Sequence, residues 1–574
     1  MSTVEQRSFL PRFSERRDID EFVEKLEAFE KGEIGPDQFR AFRLLRGVYG
    51  QRQDGVQMLR VKIPFGRVGR GELDALADVA DRYSRGFGHV TTRQNVQLHF
   101  LKMTDVEAAM NRLDEAGLTT REACGNSVRN VTACEHAAVS KTAAFDVTPY
   151  AEAVVRLFLR HPLSSSLPRK FKIAFSCSSD DCAKAHIHDL GFIARVENGE
   201  RGFKVVCAGG LSTSPRAAIT LHEFVRAGEI GRVGEAIVRL FHAHGNRENK
   251  ARARLKYVVK KLGEQGFRDK YTEIRAEVDR EAAAELTVVE PPTVRPAPPV
   301  THPEATDRAP GYLAWRASNV IDQKQPGYAA VYVRLRLGDI TSSEMRTLGR
   351  IIEDFGDGTL RLTIDQNLLL TWIDRKSLPA LYRELHAIGL TRLDIHSARD
   401  VTSCQGADTC NLAVTSSRPL AAAIMERLEK ESLRELSAIA STVIKISGCP
   451  NSCGQHHIAD LGFHGGAKTV GGVTVPVYQL HLGGGCDSNG ARFGRQVVKL
   501  VARRVPEAVV LLLRLYEQSH APDETPATFF QHVDPKRVLE VLAPLLGPPT
   551  SGDDADVGQS EGFLLHTGAG ECAA

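Results

Sequence analysis

The sequence predicts an α+β protein written twice: a small antiparallel sheet backed by helices, then a longer mixed α/β region, in two copies. Three observations carry this. GVQMLRVKIPFGRV from Gly55 and GYAAVYVRLRLGDI from Gly327 both alternate like half-buried strands. Gln94-Asn95 precedes Gln366-Asn367 by 272 residues, and Gly117-Leu118 precedes Gly389-Leu390 by the same 272. Further on, VTAC ending at Cys134 is echoed by VTSC ending at Cys404, and HIHDLGF (186–192) by HIADLGF (457–463). An ordered series at nearly constant offset is duplication, and its period is far too long for a solenoid.

Each element follows from its local pattern. ELDALADVADRYSR reads as an amphipathic helix between two strands, and DVEAAMNRLDEAG as the helix after the second. TTRQNVQLHF (91–100) reads as a strand with Val96, Leu98 and Phe100 on one face and Arg93, Asn95 and Gln97 on the other. NRENKARARLKYVVKKLG (246–263) reads as a basic helix whose apolar side is Leu255, Val258, Val259 and Leu262. The stretch 290–311 is proline-rich and poor in apolar residues, which makes it an extended linker. From about Gly547 the chain is rich in Gly and Asp, and a mobile tail is expected, ending in GAGECAA with Cys572.

Composition narrows the function classes. The 574 residues are 42% hydrophobic and 25% charged, with mean hydropathy −0.22 and no apolar run long enough to span a bilayer. The polar N-terminus lacks the apolar core of a signal peptide, so a cytoplasmic location is expected. A net charge of +3 argues neither for nor against nucleic acid, although a DNA binder more usually concentrates a large basic excess, and no zinc-finger spacing appears; no nucleic-acid partner is expected. Eleven cysteines in a reducing compartment, several in tight pairs, read as metal ligands, cluster ligands or redox groups.

The second copy carries SCQGADTC and SGCPNSCG, which place Cys404, Cys410, Cys449 and Cys453 in the order C-x5-C…C-x3-C. Four thiolates from two short loops suit a structural zinc ion or a four-iron cluster, and C-x5-C fits zinc poorly. These motifs resemble the signature of the sulfite and assimilatory nitrite reductase haemoprotein family, which is also internally duplicated. The resemblance spans about 39–546. It implies two ferredoxin-like half-domains plus two mixed α/β sirohaem- and cluster-binding domains, with a [4Fe–4S] cluster on Cys404, Cys410, Cys449 and Cys453. Cys453 would also ligate the sirohaem iron. On this basis the chain divides into an N-terminal extension (1–54), half-domain 1 (55–122), a sirohaem and substrate-pocket domain (123–285), and a Pro-rich linker (286–325). Half-domain 2 (326–395), a cluster and sirohaem domain (396–546) and a flexible tail (547–574) follow. The first copy keeps Cys134 and Cys182, with Cys177 nearby, but has Ser140 in place of Cys410. Its thiols are expected to pack as small apolar groups.

The resemblance further implies a cationic pocket for a small oxyanion. TTRQNVQ, NSVRNVTAC and LPRKFKIAF supply Arg93, Arg129, Lys170 and Lys172, the arginines for anion binding and the lysines for binding with proton supply. Gln94, Asn95, Gln366 and Asn367 are candidates for contacts to the carboxylate-rich macrocycle. Tyr49 and Cys124 stand where some bacterial members of the family have a linked tyrosine–cysteine pair. With no G-x-G-x-x-G in the right context, electrons are expected from reduced ferredoxin. The expected reaction is six-electron reduction of sulfite to sulfide, because Lys172 stands where nitrite reductases tend to show Asn. HIHDLGF departs from the sulfite enzymes of the family. Nitrite reduction to ammonia is the alternative. A corrinoid-precursor oxygenase and a non-catalytic zinc or cluster scaffold or redox sensor are the more distant readings.

Overall fold

The computed structural model describes residues 10–289, 294, 296–302, 307–430, 437–566, 568 and 571. Cys572 lies outside the described residues.

The two half-domains are not separate bodies. One five-stranded sheet runs in the order Val48–Gly50, Val56–Val61, Val96–Lys102, Phe87–Val90 and Asp339–Thr341; the other runs Val320–Asp322, Tyr328–Val333, Leu368–Asp374, Thr359–Leu362 and Arg67–Gly69. Each therefore ends on a short antiparallel strand lent by the other copy, with Ile340 opposite Gly88 and Val68 opposite Leu360. Pairing of the lent strand covers an edge that would otherwise expose bare amides and carbonyls. The helices Arg70–Tyr83 and Ser342–Phe355 pack together, so Leu76, Val79, Leu348 and Ile352 share one apolar core. The N-terminal helices Arg16–Glu30 and Pro36–Leu45 add Ile19, Phe22 and Phe39 to it.

Each longer region is a five-stranded mixed sheet with its own core. The first three strands are parallel in both: Val128–Ala133, Phe171–Ser176 and Leu190–Glu197 in the first copy, Thr402–Ser403, Ile444–Ser447 and Leu461–Val470 in the second. Helices Thr148–Phe158 and Ser417–Leu428 provide the crossovers that parallel pairing requires. The duplication reaches the backbone itself. Left-handed residues recur 272 positions apart: Phe65 and Leu337, Gln94 and Gln366, Phe100 and Trp372.

Four expectations need correction. TTRQN is not strand: the strand begins at Val96, and 91–95 is a tight turn in which Thr91 Oγ1 accepts from the amides of Arg93 and Asn95 while Gln94 takes φ 52°. Both faces of that strand are buried, Gln97 and His99 included, and Phe100 leaves the apolar face at a bulge. The stretch 246–263 is helical only from Leu255, and that helix runs on to Arg280 past a non-helical Gly263. The interval 286–325 contains the helix Tyr312–Asn319, whose Trp315 is wholly buried in the shared core.

The C-terminal segment is the fourth. It is no loose tail but a strap: Asp553 pairs with Arg504 at 2.5 Å, and Asp556 accepts from the Ser416 amide at 2.7 Å. At its far end Glu571 pairs with Arg43 and accepts from the Gly50 amide at 2.6 Å. Asp residues that read as solvated in the sequence are spent on chain-to-chain bonds.

Candidate active site

The four cysteines of the second copy sit on two loops at the carboxyl ends of adjacent parallel strands, the usual ligand end of such a sheet. Cys404 follows Thr402–Ser403, and Cys449 and Cys453 follow Ile444–Ser447. The loops touch so closely that a Cβ on Gly454 would lie 1.9 Å from the Ile446 carbonyl oxygen, and one on Gly448 2.8 Å from Gly406 Cα. The Gly448 amide donates to Cys404 Sγ at 3.2 Å, and Ser417 Oγ lies 3.4 Å from the same sulfur. The thiols share one electrostatic neighbourhood. Burial raises Cys449 above the ordinary thiol range, and Cys453, Cys404 and Cys410 each raise it further. Cys453 alone among the four is exposed, presenting its thiol outward.

The first copy faces that thiol. Thr92 Oγ1 donates to the Cys453 carbonyl at 3.1 Å, setting the 91–95 turn against the cysteine loop. Arg93 reaches back from this turn to Thr132 Oγ1 at 3.2 Å, to the Asn130 carbonyl and to His188 Nε2. Burial lowers Arg93 to about 9, which leaves it charged at neutral pH. His188 is held neutral, mainly by burial and then by Arg93 and Lys172; its Nδ1 donates to the Lys184 carbonyl at 2.6 Å, leaving Nε2 to accept from Arg93.

Lys172 is half-buried on the strand Phe171–Ser176. Among the described residues its Nζ makes no hydrogen bond or ion pair. Burial drives its pKa well below the ordinary lysine value, with Arg93, Arg254 and Lys170 adding like-charge repulsion and Cys453 opposing. Arg129 Nε and Nη2 donate to the Gly125 carbonyl at 2.9 and 2.6 Å. The sequence did not single out Arg254, which forms a two-pronged pair with buried Asp189 at 3.0 and 2.6 Å. Asp189 also accepts from the Lys172 amide at 2.8 Å, so this pair holds the lysine strand in place. Lys256 Nζ donates to the Leu211 carbonyl at 2.7 Å, fixing the glycine loop 209–215. His188 was legible as a difference between copies, since the matching residue in HIADLGF is Ala459; Arg254 carried no such signal.

Gln94, Asn95, Gln366 and Asn367 are placed differently from expectation. Gln94 donates to the Ala133 and Leu362 carbonyls, both at 2.9 Å, and accepts from the Ala133 amide. Gln366 mirrors it across the copies, donating to the Val90 carbonyl and accepting from the Ser403 amide. Asn95 and Asn367 accept from the amides of Ile63 and Leu335. These buried amides stitch backbone together. Cys124 is fully buried, with Sγ 3.3 Å from Arg60 Nη1 and 4.0 Å from the Gly47 carbonyl, two residues before Tyr49.

Four convergent thiols form a donor set suited to a [4Fe–4S] cluster, and the cations of the opposing copy suit a polycarboxylate macrocycle and an anion. The fold and the paired cysteine loops thus point to an oxidoreductase of duplicated architecture. The chain belongs to the nitrite and sulfite reductase family, which carries sirohaem and a [4Fe–4S] cluster. The family described as "Nitrite and sulphite reductase 4Fe-4S domain" matches residues 124–279 and 395–526, and "Nitrite/Sulfite reductase ferredoxin-like half domain" matches 49–116 and 321–388. A ferredoxin–nitrite reductase of Synechococcus elongatus is 31% identical over 74% of this chain and 80% of its own. A sulfite reductase [ferredoxin] of Mycobacterium tuberculosis is 31% identical over 79% of this chain and 80% of its own. The solved structure of Mycobacterium tuberculosis NirA superposes with a TM-score of 0.76 at 26% identity, covering 91% of this chain and 97% of that one. Family membership sets aside the scaffold and sensor readings.

Proposed function

We propose that the protein is a ferredoxin-dependent sulfite reductase, taking sulfite to sulfide by six electrons. Cys404, Cys410, Cys449 and Cys453 would hold the cluster, with Cys453 shared with the sirohaem iron. When bound, these cofactors supply the electrons. The chain's own contribution is charge and protons. Arg93 and Arg129 bind the anion, Lys170 and Lys172 bind it and donate protons from Nζ, and the Arg254–Asp189 pair keeps Lys172 in position. Each oxygen lost from sulfite leaves as water, so proton delivery is needed throughout.

The observation that supports sulfite over nitrite is Lys172, half-buried beside Arg93, Arg254 and Lys170, with no carboxylate on its Nζ among the described residues. Sulfite bears up to two negative charges near neutral pH and nitrite one, so an added cation favours sulfite. The similarity to nitrite and sulfite reductases at equal identity keeps nitrite as the second reading.

Steady-state rates with both anions and reduced ferredoxin test this. Lys172→Asn lowers kcat/KM for sulfite roughly tenfold or more, and for nitrite less. The lowered Lys172 pKa also sets a sign: the ammonium is lost as pH rises through a value below the ordinary lysine range, so wild-type sulfite activity falls on that alkaline side. A wild type that strongly prefers nitrite would falsify the assignment.

We also infer that Tyr49 and Cys124 lie close enough to be joined. Intact peptides for both segments with no linked species in the mass spectrum, together with a Tyr49–Cys124 separation too long for any contact, refute this.

A further inference from the structure

The cysteines that the first copy retains are not scattered. Cys134 Sγ lies 3.3 Å from Cys177 Sγ, which lies 3.8 Å from Cys182 Sγ, and all three sulfurs fall within 4.8 Å of one another. They occupy the place in the first copy that the cluster cysteines occupy in the second: Cys134 follows the strand Val128–Ala133, while Cys177 and Cys182 follow Phe171–Ser176. Packing as ordinary apolar groups does not account for the company they keep. Glu135, next in the chain to Cys134, is buried, and its Oε2 has no hydrogen-bond donor among the described residues.

The spacing selects among occupants. A tetrahedral ion with metal–sulfur bonds of about 2.3 Å holds its sulfurs about 3.8 Å apart along each edge. A four-iron cube holds its thiolates at separate corners, much farther apart, and Ser140 stands where a fourth cysteine would be needed. A disulfide requires sulfurs at about 2.05 Å, well inside the observed contacts.

We propose that Cys134, Cys177 and Cys182 form a mononuclear three-thiolate site for a soft divalent ion, zinc above all. Binding displaces the three thiol protons to solvent and leaves the ion at its single stable valence, so no electron is exchanged. Cys134 and Cys177 are each only 1% exposed and Cys182 is half-buried, a setting that suits an ion held for the fold. Its effect is to fasten the two loops after the parallel strands of the first copy, as the cluster does in the second.

Elemental analysis of the purified holoenzyme tests the site independently of turnover. About one zinc per chain is expected in addition to iron. Cys134→Ser, Cys177→Ser and Cys182→Ser should each lose zinc while iron and the visible haem absorption remain. Zinc at background level, or a Cys134–Cys177 disulfide in the native enzyme, overturns the proposal. So does zinc retained in the variants, which would place it elsewhere, for instance on the buried His456, His457 and His481. If a variant fails to fold, X-ray absorption at the zinc edge of the wild type decides: about three sulfur neighbours at about 2.3 Å support the site, and a shell of nitrogen and oxygen alone rejects it.

Discussion

At the scale of single residues, the outward-facing thiol of Cys453 is the pivot of the proposed centre. Cys453→Ser should remove both the iron–sulfur and the haem signals, measured by visible absorption and electron paramagnetic resonance. Cys134→Ser should leave both in place, since its thiol belongs to the other copy. Full cofactor content in Cys453→Ser would rule out the ligand set. The four cysteines were legible because their spacing is itself chemical information. The placement of Lys172 on a strand was legible because LPRKFKIAF reads as an extended segment with two lysines two positions apart. The backbone bonds of the four amides were not legible, for a physical reason. Gln and Asn carry both donor and acceptor, so a sequence does not say whether they answer a ligand or their own backbone.

At the scale of elements, the 91–95 turn shows why a motif that reads as strand folds otherwise. Thr91 Oγ1 satisfies two amides and the left-handed Gln94 reverses the chain, which local alternation of polar and apolar residues does not reveal. Gln94 then bonds across to Leu362 of the other copy. Gln94→Ala leaves the Ala133 amide and the Leu362 carbonyl buried without that partner, a loss of about 2–4 kcal/mol. Thermal or denaturant unfolding of the holoenzyme measures it, and an unchanged midpoint would return Gln94 to the list of cofactor contacts. The strands and helices flanking the turn were legible from periodicity. The helix Tyr312–Asn319 was hidden because proline-rich neighbours mask a short helix whose case rests on two buried aromatics.

At the scale of the whole molecule, the C-terminal strap ties the cysteine-bearing region to the N-terminal half. Asp556 holds Ser416, one residue before the serine that contacts Cys404 Sγ, and Glu571 holds Arg43 and Gly50. Removal of residues 548–574 should leave folded protein that loses iron faster in air, followed as the decay of visible absorption. Equal decay rates would show the strap to be idle. The duplication was legible in the sequence because offsets survive divergence. The strap was not, because its bonds are long-range and depend on which loops the fold brings near.

The lent strands have a consequence for ancestry. Half-domain sheets that each finish on the other's strand have no closed form on their own: a single copy would carry one bare edge and one homeless strand. Two identical single copies, each lending Arg67–Gly69 or its counterpart, would satisfy both at once around a twofold axis. The present chain is then a symmetric pair made permanent by a peptide linker. Fusion freed its halves to diverge, so that one keeps four thiols on its two loops while the other keeps three and gathers cations beside them. Asp365 now stands where the first copy has Arg93, and its ion pair with Lys445 puts a carboxylate in the pseudo-equivalent position. An ancestral homodimer had to build both sites alike; its descendant was free to furnish one and retire the other.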